Sequence, residues 1–286
     1  MKKAVNDFLT RTTGYQLQKT RPAAERPAAA PRRARRGEGR LLEAPGFVLS
    51  TVRSGSTLLR VLLDSHSKIH SPHETHLRDI AVELKTKYAE RAVKEAKLTR
   101  EELTNVLWDW YLHRELAATG KSVLVNKTPS DVFITEQIRA CWPDARFIFL
   151  LRHPVAIARS RQALRPQDSD ERNHEMVLRY ANALERARDA YEGHTVRYED
   201  LAADPETETR KLCAFLGLEW EPGMLDYGQT ERRFKAGLGD WNDKIRSGKV
   251  QPPDPLPAPD EVPEALRGIA AAWGYLPQPA APAAEL

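Results

Sequence analysis

The chain is 286 residues long, 41% hydrophobic and 29% charged, with 44 Lys plus Arg against 40 Asp plus Glu. That length suffices for one sizeable core and is marginal for two. No apolar run approaches the ~18 residues of a membrane helix, and Cys141 and Cys213 stand far apart, which excludes a spanning helix, a disulfide framework and a zinc ribbon.

The basic start has no apolar stretch of the kind a secretory signal needs, so a cytoplasmic location is expected. A pI of about 9.0 raises nucleic-acid binding as a possibility. The distribution of charge argues against it. Residues 1–40 carry 11 Lys plus Arg and 3 Asp plus Glu, a net of +8, so the remaining 246 residues are mildly acidic at −4. Within the arm, Val5, Phe8 and Leu9 line one short amphipathic turn, and residues 21–40 form a Pro/Ala/Arg linker without apolar periodicity. Residues 1–41 are therefore assigned to a basic, largely disordered arm, 42–250 to the folded unit and 251–286 to a Pro-rich extension with one short helix, Glu264 to Trp273.

In the folded unit short β-rich runs alternate with longer helical patterns, which predicts a three-layer α/β/α fold around a mostly parallel sheet. The expected strands are Phe47 to Thr51, Ser122 to Val125, Arg146 to Leu151 and His194 to Tyr198. Thr99 to Glu102 is a capping box, and it opens a helix whose Leu103, Val106, Leu107, Trp110 and Tyr111 share one face and are expected in the core. A second stripe, Val177, Tyr180, Leu184 and Tyr191, marks a helix from Glu171 to Tyr191. Asp204 caps a third helix with Pro205 at its first position, and Gly217 closes it after Leu212, Phe215 and Leu216.

The most informative stretch is FVLSTVRSGSTLLR at residues 47–60: an apolar strand, a small-residue loop with one basic residue, and an apolar helix. A strand feeding a helix through Ser54, Gly55, Ser56 and Thr57 points backbone N–H groups and hydroxyls at a common anion site, a P-loop-like arrangement. It is no Walker A motif, since Ser56 stands where the lysine belongs, and no nucleophile elbow, since Val52 and Ser56 stand where that turn needs glycines. An ordinary strand-turn-helix with a surface arginine is the plain alternative.

Residues 52–59, VRSGSTLL, resemble the P-R/K-S-G-T/S-T-L-L loop of sulfotransferases that use 3′-phosphoadenosine 5′-phosphosulfate (PAPS), nearest the bacterial and tyrosylprotein branch, with Val52 in place of proline. FIFLLRHPVAIARS at 147–160 is similar to the second signature of that family. The resemblance assigns Arg152 and Ser160 to the 3′-phosphate, and a guanidinium fork at a strand end with a hydroxyl on the next helix suits an anion. NKTP at 126–129 and RYEDL at 197–201 also sit at family-like positions. The C-terminal signature is the most altered. FKAGLGDW at 234–241 keeps Lys235 as a 3′-phosphate candidate and the Gly-Asp-Trp end, while Phe234 replaces an arginine that Arg232 or Arg233 can stand in for and Trp241 can serve packing alone.

The resemblance implies PAPS as co-substrate, bound by Arg53, Ser54, Gly55, Ser56, Thr57, Leu58, Arg152, Ser160, Tyr198 and Lys235, with no metal. Arg53 and Lys127 are the candidates for stabilising the transferred group by charge. Glu74, in SPHETH at 71–76, stands where the tyrosylprotein-like branch has its catalytic glutamate and is the candidate general base. His70, His73 and His76 recur beside it at a spacing that suggests a metal site, although Pro72 interrupts any helix that would align them. His153 reads as loop structure. The acceptor is expected to be a small-molecule, glycan or lipid hydroxyl, with residues 77–120 and 162–190 walling its pocket; Trp108, Trp110, Tyr111 and Tyr180 suit either that pocket or the core. The alternatives are a nucleotide-dependent phosphotransferase and a nucleic-acid binder working through the arm.

Overall fold

The computed structural model describes residues 39–227 and 249–277. The basic arm up to residue 38, Lys235, Arg232, Arg233 and Trp241 lie outside the described residues.

Five parallel strands form the sheet: β1 (Gly46–Ser50), β2 (Ile69–His70), β3 (Val123–Lys127), β4 (Arg146–Leu151) and β5 (Gly193–Arg197), in the order β2-β3-β1-β4-β5. β1 is central and every one of its residues is buried, because a strand covered on both faces has no polar side. Its side chains alternate between two cores. Phe47 and Leu49 join Phe147, Phe149 and Leu151 on one face, and Val48 joins Val125, Ile148 and Leu150 on the other.

The first face is covered by α3 (Arg100–Ala117), α4 (Thr135–Cys141), α5 (Pro154–Gln162), α6 (Asp170–Ala190) and α9 (Glu264–Ala272). The second is covered by α1 (Ser56–Asp64), α7 (Tyr198–Ala203) and α8 (Pro205–Leu216). A further helix, α2 (Lys87–Glu95), buries no residue. The expected caps are present. Thr99 and Glu102 form the reciprocal capping box of α3, the Asp204 carboxylate accepts from Thr207 N at 3.0 Å, and Gly217 ends α8 with φ 73°. His153 Nδ1 accepts from Val155 N at 3.2 Å, which caps α5. Among the described residues no helix is long and apolar enough to cross a membrane.

Three expectations need correction. The helix α3 has the expected start but turns a different face inward: Val106, Leu107 and Trp110 are exposed, while Thr104, Asn105, Trp108, Asp109, Leu112 and Leu116 are buried. The inward face is partly polar because it has backbone to satisfy. Asp109 accepts from Leu41 N, Leu42 N and Trp142 Nε1 at 2.7–3.1 Å, and Thr104 Oγ1 accepts from Val82 N at 3.0 Å. The last strand stops at Arg197, so Tyr198 opens α7 instead of closing β5. The packed core also runs beyond residue 250. The helix expected at Glu264 forms, and Val262, Leu266, Ile269, Ala270 and Trp273 are buried in the first core. Its apolar stripe is as good a core face as any in the chain; the prolines before it only forbid helix up to Pro263.

Leu266 is fully buried. Leu266→Ala is expected to lower unfolding stability by about 2–5 kcal/mol, measured by urea titration.

Candidate active site at the carboxyl edge of the sheet

After β1 the chain crosses toward β2 and β3, then returns to the other side of β1 as β4. The crevice where this reversal occurs, beyond the carboxyl ends of β1 and β4, is where open α/β sheets seat ligands. The loop leaving β1 turns sharply there, with Arg53 at φ 64° and Gly55 at φ 86°. A Cβ on Gly55 would stand 2.2 Å from Tyr198 Cδ2, so both the left-handed backbone and the closeness of the ring demand glycine. Gly55 at the N-cap of α1 has no side chain to cap the helix, whose start faces the crevice through Ser56, Thr57 and Leu58.

Two guanidiniums meet at this loop. Arg152, just after β4, donates from Nη1 to Arg53 O at 2.9 Å and lies 4.4 Å from the centroid of the Tyr198 ring. Its Nε is buried without a hydrogen-bond partner among the described residues. Arg53 Nε donates to Ser160 Oγ on α5 at 3.2 Å. Burial, and after it the neighbouring Arg152 charge, holds the Arg53 pKa below the usual arginine range. Among the described residues the side-chain contacts of this pair are a carbonyl, a hydroxyl and a ring, so an anion in the crevice would offset both charges.

The second half of the site comes from β3 and the segment after β2. Lys127 ends β3 with its side chain fully buried, and its Nζ donates to Glu74 Oε1 at 2.6 Å. Glu74 Oε2 faces His76 Nε2 at 3.7 Å. The loop carrying Glu74 is tied to the same NKTP motif: Thr75 N donates to Thr128 Oγ1 at 3.0 Å and Thr75 Oγ1 to Asn126 Oδ1 at 2.9 Å. Asn126 Nδ2 in turn donates to Asp131 Oδ2 at 2.7 Å. Of the histidines, His70 faces Asp64 at 3.4 Å while His76 lies between Glu74 and Asp79, so the two serve different carboxylates.

These groups surround a cavity of about 560 Å³. Arg53, Gly55, Ser56, Thr57, Leu58, Arg152, Ser160, Tyr198 and Glu74 are among the residues that line it. Ser54 does not. It is fully buried and its Oγ donates to Thr51 O at 2.8 Å, so its hydroxyl shapes the loop from within. Lys127 reaches the site through Glu74. The lining residues outside that set are Val52, Pro129, Ala156, Arg159, Tyr227 and a run from the Pro-rich segment, Lys249, Gln251, Asp254, Pro255 and Pro257. The only signal for that run was the helix after it, whose burial brings the prolines back over the sheet edge.

A family model described as the sulfotransferase family matches residues 45–222. The chain belongs to the sulfotransferase family. The matched region runs from β1 through the start of the 3-10 turn Pro222–Leu225 and contains both signature loops and Glu74. Among similar sulfotransferase-family and related proteins, the nodulation protein NoeE of Sinorhizobium fredii is 28% identical over 234 residues, covering 69% of this chain and 55% of its own length. The protein-tyrosine sulfotransferase of Drosophila melanogaster is 24% identical over 199 residues, covering 63% of this chain and 39% of that protein. The chain thus spans about half the length, or less, of these relatives. In fold it is similar to the sulfotransferase domain from the curacin biosynthetic pathway, at TM-score 0.59 and 22% identity over 82% of this chain and 99% of that one. The sulfotransferase domain of the Synechococcus PCC 7002 olefin synthase superposes with TM-score 0.56 at 24% identity, over 84% of this chain and 91% of that one.

Burial pushes the Asp131 carboxyl from 3.8 up to about 8, with the Asn126 hydrogen bond opposing and the Glu74 charge adding to the rise. Between those values the unfolded chain releases a proton that the folded chain keeps, so this group costs stability progressively as pH rises through the window. Asp131→Asn keeps an acceptor for Asn126 and removes the titration. Urea unfolding across that pH range is expected to show the wild type losing stability relative to the variant as pH rises; parallel curves would overturn the assignment.

Proposed function

We propose that this protein transfers the sulfonyl group of PAPS to an acceptor hydroxyl. The observation that carries the reading is the convergence of two differently charged devices on one cavity: the Arg53/Arg152 cation pair at the loop and the Lys127–Glu74 ion pair opposite it. The first suits a polyanionic nucleotide. The second suits a reaction in which a hydroxyl loses a proton as it attacks.

The residues present fit PAPS in chemistry: uncapped helix amides, two guanidiniums and the unpartnered Arg152 Nε all favour an anion. Arg53, Ser56, Thr57 and Leu58 are assigned to its phosphosulfate end, Arg152 and Ser160 to its 3′-phosphate, and Tyr198 to its wall. Ser54 and Gly55 shape the loop. Lys235 keeps its proposed 3′-phosphate role, with Arg232 or Arg233 as the supplementary cation. When bound, PAPS supplies a sulfonyl group attached to a phosphate leaving group. Glu74 accepts the acceptor proton, and Oε2 is the atom assigned to this because Oε1 is held by Lys127 at 2.6 Å while His76 Nε2 stands 3.7 Å from Oε2. Lys127 orients that carboxylate and places a positive charge beside the reacting oxygens. The similarity to tyrosylprotein sulfotransferases supports a hydroxyl acceptor, which we place among small molecules, glycans and lipids.

Two measurements test this. Adding 3′-phosphoadenosine 5′-phosphate is expected to raise the melting temperature of the full chain; no shift at saturation would count against the cofactor assignment. Glu74→Gln is expected to reduce kcat roughly 100- to 10,000-fold with affinity for that nucleotide unchanged. Full turnover in the variant would transfer the role to His73 or His76.

A further inference from the structure

A second cavity, of about 600 Å³, lies against the first and shares Val52 and Arg53 with it. Its size is that of a small-molecule site. The rest of its lining comes from the end of α5, the turn after it and the start of α6: Arg161, Leu164, Arg165, Gln167, Arg172 and Met176. The side chains are of two kinds. Val52, Leu164 and Met176 offer carbon surface, and Leu164 is half exposed, at 50%. Among the described residues the remainder includes four arginines and no carboxylate.

Those arginines are not equivalent. Arg161 is buried and fully engaged, donating to Asn173 Oδ1 at 2.9 Å and to Asp168 Oδ2 at 2.7 Å, so it braces the turn between the two helices. Asp168 is also the nearest anion to Arg172, at 3.9 Å from Nε, and one carboxylate cannot neutralise both. Arg165 has no ion pair among the described residues and is exposed. A lining that combines carbon surface, two under-compensated guanidiniums and an Arg53 shared with the first cavity suits a molecule that carries an apolar chain and an acidic group. Burying a carbon chain on such a lining is favourable, and an acidic head at Arg165 and Arg172 forms charge-assisted hydrogen bonds.

We infer that this cavity is the acceptor site and that the acceptor is a hydroxylated aliphatic acid, its chain on Val52, Leu164 and Met176, its acidic group at Arg165 and Arg172, and its hydroxyl passing Arg53 into the first cavity, which Glu74 lines. Calling the ligand an acceptor rests on the sulfotransferase reading; the binding preference does not. The acid selects for register as well as affinity, because a head held at the rim determines which carbon reaches the loop.

The test is calorimetric titration of the full chain, without nucleotide, with ω-hydroxydodecanoate and with the matching neutral diol. The acid is expected to bind at least about tenfold more tightly, and Arg165→Gln with Arg172→Gln is expected to reduce it to the level of the diol. Both side chains are exposed, so the double variant keeps its fold, and its affinity for 3′-phosphoadenosine 5′-phosphate is expected to stay unchanged. Equal binding of acid and diol by the wild type, no binding of the acid, or a preference that survives in the double variant would each overturn the inference. Loss of transfer from PAPS with the acid preference intact would instead strike the sulfotransferase reading and leave the site standing.

Discussion

A lysine side chain with no exposed surface has to be met by an anion, since several kcal/mol of hydration are lost when an ammonium leaves water. At the carboxyl edge of this sheet that requirement organises the surrounding chain. For Glu74 to reach Lys127, the segment after β2 must cross the end of β3. It is fastened there at three points, by Ser71 Oγ donating to Val125 O and by the two Thr75 hydrogen bonds to Thr128 and Asn126. The four residues 126–129 therefore do two things at once: they supply the buried cation and hold the strand of chain that neutralises it. The Arg53/Arg152 pair is the opposite case, a cation excess without a carboxylate among its contacts with the described residues.

Much of this was legible in the sequence where one physical effect dominates. Arg146 to Leu151 reads as a strand because burial on both faces leaves no polar residue between Phe147 and Leu151, and it ends where expected. Caps at Thr99, Asp204 and Gly217 are local chemistry and came out as local chemistry does. The loop at 52–59 carried its anion-binding character in its own residues.

Where several effects compete, the reading failed for identifiable reasons. Helix α3 has two plausible stripes, and the one chosen lost because Asp109 and Thr104 turn inward to serve the backbone at Leu41, Leu42 and Val82, partners that no helical periodicity reveals. Strand β2 has only two residues, too few for any alternation. Glu74 and Lys127 were each identifiable, yet their contact spans 53 positions and depends on the β2-β3-β1 order. Prolines from 252 onward suggested an extension because they remove backbone donors, and that says nothing about where an extended segment lies.

The C-terminal segment has a further consequence. Helix α9 is seated in the first core, Trp273 Nε1 donates to Glu185 Oε1 at 2.8 Å, and Tyr275 donates its hydroxyl to Glu199 Oε2 at 2.6 Å. Glu199 Oε1 accepts from His153 N, at the start of the helix that carries Ser160. Lys249 to Pro257, which precede this anchor, form one wall of the first cavity. The matched family region ends well before them, so the part of the chain that defines the family is not by itself a closed binding compartment. Occupancy and anchoring are then two readouts of one equilibrium: a ligand touching both walls holds the tail down, and a tail released from the core is felt at the cavity as weakened affinity.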